Sequence, residues 1–120
     1  MREKKGKFKT IVDGIVNACM EDDSMYRMLL FSFGLFFAAS LFSITTNEQL
    51  ALFTLALLSL FAELINTSIE YTVDRSGEEF HPLAMRAKDS AATASFLIVF
   101  LFTTVSVIFC YNSLQNARCK

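Results

Sequence analysis

Uncharged runs separated by short charged segments dominate the hydropathy pattern of this chain. Residues 28–46 and 91–111 carry no charged side chain, and residues 50–69 carry only Glu63. A helix rises about 1.5 Å per residue, so roughly 20 apolar residues cross the hydrocarbon core of a bilayer. The pattern therefore predicts three transmembrane helices, over about 28–46, 50–69 and 91–111.

The N-terminal segment has a different character. "MREKKGKFKT" carries five Lys or Arg against one Glu, and apolar side chains then recur at helical spacing at Ile11, Ile15, Val16, Cys19 and Met20. This predicts an amphipathic surface helix over about 5–20, lying on an anionic membrane surface. The basic residues also fit a simple topology signal, because Lys and Arg stay in the cytoplasm.

The distribution of basic residues predicts an orientation. The N-terminus and the segment 71–88, with Arg75, Arg86 and Lys88, are basic, whereas "TTNEQ" carries neither Lys nor Arg. The N-terminus and the second loop are therefore expected in the cytoplasm. With 120 residues, one Pro and four Gly, the chain is expected to form a single domain, 1–120, of an all-α membrane protein.

Several functional classes lack their signatures. The three cysteines form no CxxC pair and give neither a disulfide framework nor zinc spacing. Neither glycine-rich phosphate motif, GxxxxGK[ST] or GxGxxG, is present. A net charge of −1 carries little information, and we expect no nucleic-acid partner.

A polar row interrupts the second apolar run. In "AELINTSIEYTVD", Glu63, Asn66, Glu70 and Asp74 follow at spacings of three, four and four, which puts them within about 80° of arc on one helix face. Ionisable groups at membrane depth are costly and usually mark a functional site. The alternative is that these carboxylates only pair with cations at the helix end.

Two other cytoplasmic segments add candidate ligands. "EDD" at 21–23 supplies carboxylates, and "RAKD" at 86–89 supplies a lysine beside another acid. Carboxylate oxygens suit a hard cation such as Mg²⁺ held together with a substrate phosphate. Spacing alone therefore predicts a metal–phosphate site at the cytoplasmic boundary, but not a particular reaction.

"AELINTSIEYTVDRSGEEFHPLAMRAKDSAA", residues 62–92, closely resembles the signature of the small bacterial integral-membrane diacylglycerol kinases, whose relatives phosphorylate undecaprenol. The resemblance implies phosphoryl transfer from Mg-ATP to a lipid hydroxyl by a homotrimer in the bacterial cytoplasmic (inner) membrane. It implies that Glu63 is the catalytic base, supported by Asn66, and that Asp74 has a structural or metal-linked role. The nucleotide-binding residues that it implies are Asp23, Glu70, Glu79, Phe80, His81, Lys88 and Asp89.

The same resemblance implies two metal ligands, Glu70 and a carboxylate before the first span. Counting back from Arg27 selects Asp23, whereas counting from Gly14 selects Asp22. The N-terminal nucleotide contact of the family has no clear counterpart, and Lys4 is a guess. Taken alone, a single histidine such as His81 before a proline is more often a helix cap than a nucleotide contact.

The lipid substrate stays open at this point. Arg75 and Gly77 in "VDRSGEE" favour diacylglycerol, whereas "INTSIE" and "HPLA" are equally typical of undecaprenol kinases. Two hypotheses from other classes are a non-catalytic, holin-like small membrane protein and a proton-coupled transporter that uses Glu63 without ATP. An idle membrane protein has no reason to align Glu63, Asn66 and Glu70 on one face, because buried carboxylates need compensation.

Overall fold

The computed structural model describes residues 6–21, 23–77 and 81–120. These residues form no β-strand; their helices are α1 (Lys7–Glu21), α2 (Asp23–Ser40), α3 (Thr46–Arg75) and α4 (Pro82–Arg118). The prediction of an all-α chain is thereby confirmed. The bounds of α1 are close to those predicted for the surface helix, about 5–20. Helices α3 and α4 extend beyond the second and third predicted spans at both ends.

The first predicted span is the main departure from expectation. Helix α2 ends at Ser40, not at residue 46, although the apolar run continues beyond it. The reason lies at Thr45, which has extended backbone angles (φ −73°, ψ 161°) and caps α3 in a reciprocal capping box with Glu48. Because an N-cap residue is not helical, the chain must leave α2 before Thr45 and turn back into α3.

Helices α3 and α4 form the most extensive helix pair. Contacts of Asp74 with Lys88 and of Glu63 with Ser95 show that they run antiparallel, since one sequence number falls as the other rises. Gly77, with φ +124°, provides the turn after α3 in a conformation that a Cβ would disfavour. The pair therefore presents facing side chains along most of its length.

An apolar core lies toward the end of the helix pair remote from Gly77. Ala39 from α2, Leu52 and Ala56 from α3, and Phe102 from α4 are buried against one another. Much of the remaining apolar surface faces outward: only 33% of the most apolar 18-residue window of α3 is buried, and only 17% of that of α4. By length and composition these two helices can cross a membrane.

Candidate active site

Glu63 lies at the point where three helices meet. Its side chain is 5% exposed, because α3 turns this face toward α2 and α4. Ser24 Oγ of α2 donates to Oε1 at 2.5 Å, and Ser95 Oγ of α4 donates to Oε2. Each carboxylate oxygen has two lone pairs, so each retains capacity for a second hydrogen bond.

The polar row continues along α3 toward its C-terminus. Asn66 and Thr67 are buried, at 6% and 2% exposure, and Asn66 Nδ2 donates to Glu70 Oε1 at 3.3 Å. The Asn66 Oδ1 atom is buried and has no hydrogen-bond partner among the described residues. Glu70 is half-buried, so the row passes from the interior to the surface within two turns of helix.

Asp74 and Lys88 form an ion pair at the surface end of the row. Lys88 Nζ donates to Asp74 Oδ1 at 2.8 Å, with side-chain exposures of 38% and 64%. The hydrogen bond to Asp74, reinforced by the charges of Asp74 and Glu70, raises the pKa of Lys88 above its usual value, against a smaller opposing effect of desolvation. The Lys88 ammonium group therefore stays charged throughout the physiological pH range. Lys88 precedes the apolar segment of α4.

An open groove of about 540 Å³ lies beside this ion pair, between the end of α3 and the first turns of α4. Asp74, Lys88 and His81 line it together with apolar side chains such as Val73 and Met85. His81 is the N-cap of α4, and its Nδ1 accepts from Leu83 N at 3.2 Å, immediately before Pro82. The helix-cap interpretation of His81 is thus confirmed, and its contact with ATP stays a prediction.

The described side chains do not form a complete set of metal ligands. They include no group of three or more His, Cys, Asp or Glu residues placed to hold a cation. Asp23 is exposed and is the first residue of α2. Because the next residue, Ser24, donates to Glu63, Asp23 lies near the level of Glu63 along the helices. Glu70 and the unpartnered Asn66 Oδ1 are oxygen ligands of the type that Mg²⁺ accepts, so the donor chemistry fits a metal shared with phosphate oxygens.

The remaining predicted residues divide into two groups. Asp89 is exposed on the first part of α4, one residue after Lys88. Asp22, Glu79, Phe80 and Lys4 lie outside the described residues. The structure thus brings Glu63, Asn66 and Glu70 together on one face of α3, with Asp74 and Lys88 paired at the surface end of that face.

Sequence reasoning missed Ser24 and Ser95. Ser95 ends the small-residue run "SAATAS", residues 90–95, which allows close helix approach. Ala91 and Ser95 face inward, at 8% and 4% exposure. The available signal was spacing, because Ser95 follows Lys88 by seven residues and so lies on the same helix face. No comparable signal marked Ser24.

This chain is similar in sequence to known proteins of one family. The profile of the prokaryotic diacylglycerol kinase family matches residues 9–110. A diacylglycerol kinase of Helicobacter pylori is 34% identical over 93 residues, which are 78% of this chain and 73% of that protein. A diacylglycerol kinase of Pseudomonas aeruginosa is 32% identical over 90 residues, 75% of this chain and 73% of that protein.

A relative with a different printed substrate is also similar over a shorter segment. The undecaprenol kinase of Bacillus subtilis is 50% identical over 46 residues, which are 38% of this chain and 34% of that protein. The family profile covers most of the chain, and the two longer matches cover about three quarters of it. The chain belongs to the prokaryotic diacylglycerol kinase family, a family of bacterial membrane lipid kinases.

Proposed function

We propose that this chain is an ATP-dependent diacylglycerol kinase, which transfers the γ-phosphoryl group of ATP to the lipid hydroxyl and yields phosphatidic acid. The observation that carries the proposal is the placement of Glu63, buried between α2, α3 and α4 with both oxygens held by hydroxyl donors. A carboxylate fixed in this way can accept the proton of an approaching alcohol, because each oxygen keeps a free lone pair.

The membrane arrangement that we propose gives this carboxylate its substrate. Three helices, α2 to α4, span the bacterial inner membrane in one domain, and α1 lies on the cytoplasmic surface with the N-terminus in the cytoplasm. Helix α2 has 18 residues, about 27 Å at 1.5 Å per residue, which is near the hydrocarbon thickness. Glu63 then lies just below the cytoplasmic interface, at the depth of a lipid hydroxyl.

Outward-facing apolar side chains on α3 and α4 favour both lipid contact and self-association. Phe53, Leu57 and Phe61 recur every four residues on α3 and are all at least 46% exposed. Lipid tails or the helices of neighbouring copies can cover such a face. We propose that the chain works as a homotrimer.

The nucleotide is proposed to bind along the polar row. The groove beside Lys88 and His81 takes the nucleotide, with Asp89, Glu79 and Phe80 contributing from the start of α4 and the loop before it. The Lys88 ammonium, released from Asp74, neutralises phosphate charge. Phosphoryl transfer depends mainly on positioning and charge neutralisation, so the nucleotide must extend from this groove along the polar row until its γ-phosphate reaches Glu63.

Magnesium is the proposed metal. Glu70 and Asp23 would hold it, with Asp22 as the rival of Asp23, and when bound it would neutralise charge on the transferring phosphate. Asn66 positions Glu70 through the bond from its Nδ2. Asp74 is proposed to hold Lys88 in place until a phosphate replaces it.

Undecaprenol is the second candidate substrate. The 50% identity to the Bacillus subtilis undecaprenol kinase over 46 residues favours it, whereas the longer matches are to diacylglycerol kinases. Both lipids offer a primary hydroxyl near the membrane interface, so Glu63 could serve either. The two proposals differ in the lipid body that the surrounding helices accommodate.

The deciding experiment is phosphate transfer from labelled ATP with Mg²⁺, with diacylglycerol and undecaprenol offered separately to purified protein in detergent. We expect labelled phosphatidic acid as the main product. Labelled undecaprenyl phosphate alone would identify the chain as an undecaprenol kinase. If neither product forms from folded protein that binds Mg-ATP, both lipid assignments are wrong; if ATP does not bind, the proton-coupled transporter becomes the better explanation for Glu63.

A further inference from the structure

Ser24 and Ser95 behave differently from most serines on these helices. Ser40, Ser59, Ser68 and Ser106 each donate to the backbone carbonyl four residues earlier in their own helix, which is the usual local bond of a helical serine. Ser24 and Ser95 instead donate across helix interfaces to the same carboxylate. Their partner is separated from them by 39 and 32 residues in sequence, respectively.

From this contrast we propose that Ser24 and Ser95 are positioning residues, which together fix the Glu63 carboxylate so that it can take the proton of the lipid hydroxyl. That hydroxyl oxygen then bonds to the γ-phosphorus of ATP as the bond to ADP breaks. The inference rests on the proposed function, because it takes Glu63 as the catalytic base. It adds two residues on two other helices to the requirements of the site. Both serines bond the carboxylate oxygens of Glu63 and act on the lipid only through that residue.

The geometry gives each serine a distinct part. Ser24 binds Oε1 from α2 and Ser95 binds Oε2 from α4, so the carboxylate is held at both ends. A glutamate side chain has several rotatable bonds, and ordering it costs conformational entropy. Because the two donors lie on separate helices, packing of these helices orders the Glu63 side chain during folding. The entropy cost then does not recur in each catalytic cycle. A misplacement of about 1 Å can lower a rate by about 100-fold, so losing a donor should lower kcat.

Neutral donors also suit a base better than a cation would. A lysine or arginine beside Glu63 would compete with the incoming hydroxyl and bind the carboxylate as an ion pair. A serine hydroxyl occupies one lone pair and leaves the other available. Among the described residues, Glu63 is therefore ordered by neutral hydroxyl groups and not by a charged partner.

Four alanine variants test the proposal: Ser24→Ala and Ser95→Ala, with Ser40→Ala on α2 and Ser106→Ala on α4 as matched controls. Ser106 is as deeply buried as Ser95, at 1% against 4% exposure, but donates only within its own helix. We expect each test variant to lower kcat by about 10-fold with the KM for ATP within about twofold of wild type. The controls should stay within about twofold of wild type in both constants. Ser24→Thr, which keeps a hydroxyl, should recover most of the kcat.

Infrared spectroscopy supplies a readout that does not depend on turnover. The carboxylate stretching band of Glu63 is assigned by its loss in Glu63→Gln, and it should shift in Ser95→Ala and in Ser24→Ala. It should not shift in Ser106→Ala, because that hydroxyl does not reach Glu63.

The outcomes distinguish failure of the positioning role of the two serines from failure of the proposed function. If wild-type protein phosphorylates lipid and Ser24→Ala and Ser95→Ala both retain wild-type kcat, the positioning role is wrong while the proposed function stands. An unshifted band in both variants overturns the contacts themselves. If wild-type protein phosphorylates no lipid, the proposed function fails, and a shifted band still supports the holding of Glu63 by the two serines.

Discussion

Two carboxylates on the same helix, Glu63 and Asp74, have opposite surroundings. Glu63 is 5% exposed, and its partners among the described residues are neutral hydroxyl groups from two other helices. Asp74, 11 residues later and about 16 Å along the axis, has a 64% exposed side chain and a cationic partner, Lys88. One carboxylate is enclosed and ordered without a charge partner; the other is ion-paired in solvent.

This difference matches the two roles proposed above, a reacting group at Glu63 and a binding group at Lys88. An exposed ion pair is worth little to stability, so Lys88 could exchange Asp74 for a phosphate, as proposed above. A buried carboxylate held by neutral donors keeps its basic lone pairs and its geometry. The two ends of the polar row are therefore suited to different steps of the same transfer.

Replacement of the buried carboxylate should have the largest effect. Glu63→Gln keeps the size of the side chain and removes the base, although its single amide oxygen can accept from only one of Ser24 and Ser95. We expect kcat for lipid phosphorylation to fall by about 10²- to 10⁴-fold, with the KM for ATP nearly unchanged. Steady-state kinetics in detergent measure both constants, and a kcat close to wild type would refute the role of Glu63 as base.

Glu70→Gln tests the middle of the row. Loss of this proposed metal ligand should lower activity by about 100-fold at low millimolar Mg²⁺, with partial recovery as Mg²⁺ is raised. The reason is that metal affinity falls by about 10- to 100-fold even when only an outer-shell partner of a ligand is lost. A magnesium titration of the initial rate, with size-exclusion chromatography to confirm the assembled state, measures this. Normal activity in Glu70→Gln would contradict its assignment as a metal ligand.

At the exposed end, Lys88→Ala should act on nucleotide binding more than on chemistry. We expect the KM for ATP to rise by about 10-fold as one phosphate contact is lost, with kcat less affected. Arg86→Ala, which removes a nearby cation on the same helix, is the matched control and should change the KM by less than about twofold. Equal effects of the two variants would indicate a general charge effect and not a specific phosphate contact.

The smallest expected effect belongs to Asp74→Asn. Its ion pair with Lys88 is exposed, so its loss should change the KM for ATP by less than about fivefold. Because salt screens exposed charges, the difference between wild type and variant should shrink as ionic strength rises from 0.05 to about 0.5 M. A salt-independent loss of more than about 100-fold would place Asp74 in the reacting site instead.

The elements that follow from local patterns were predictable from the sequence. Long apolar runs marked α3 and α4, and the spacing of Glu63, Asn66 and Glu70 placed them on one face, of which Glu63 and Asn66 are buried and Glu70 half-buried. The capping box at Thr45 and Glu48 could also be recognised in the sequence, since Thr-x-x-Glu precedes an apolar run. Its omission led to the wrong end for α2.

The partners of Glu63 were not predictable in this way. Ser24 and Ser95 are 39 and 32 residues from Glu63, and their contacts depend on how α2 and α4 pack against α3. A serine in a helix ordinarily bonds its own backbone, so residue type gives no sign of a partner on another helix. Only tertiary packing distinguishes Ser95 from Ser106.

The distribution of the Glu63 contacts over three helices also bears on how the protein is made. While α4 is not yet docked, Oε2 lacks its donor. In the membrane arrangement proposed above, the acidic side chain would then lie open to hydrocarbon, where such groups are costly. Docking of α2 and of α4 each removes part of that cost. Glu63 therefore destabilises an intermediate in which α2 or α4 is not yet docked. Correct packing of the three helices and full ordering of the proposed catalytic base are reached in the same step.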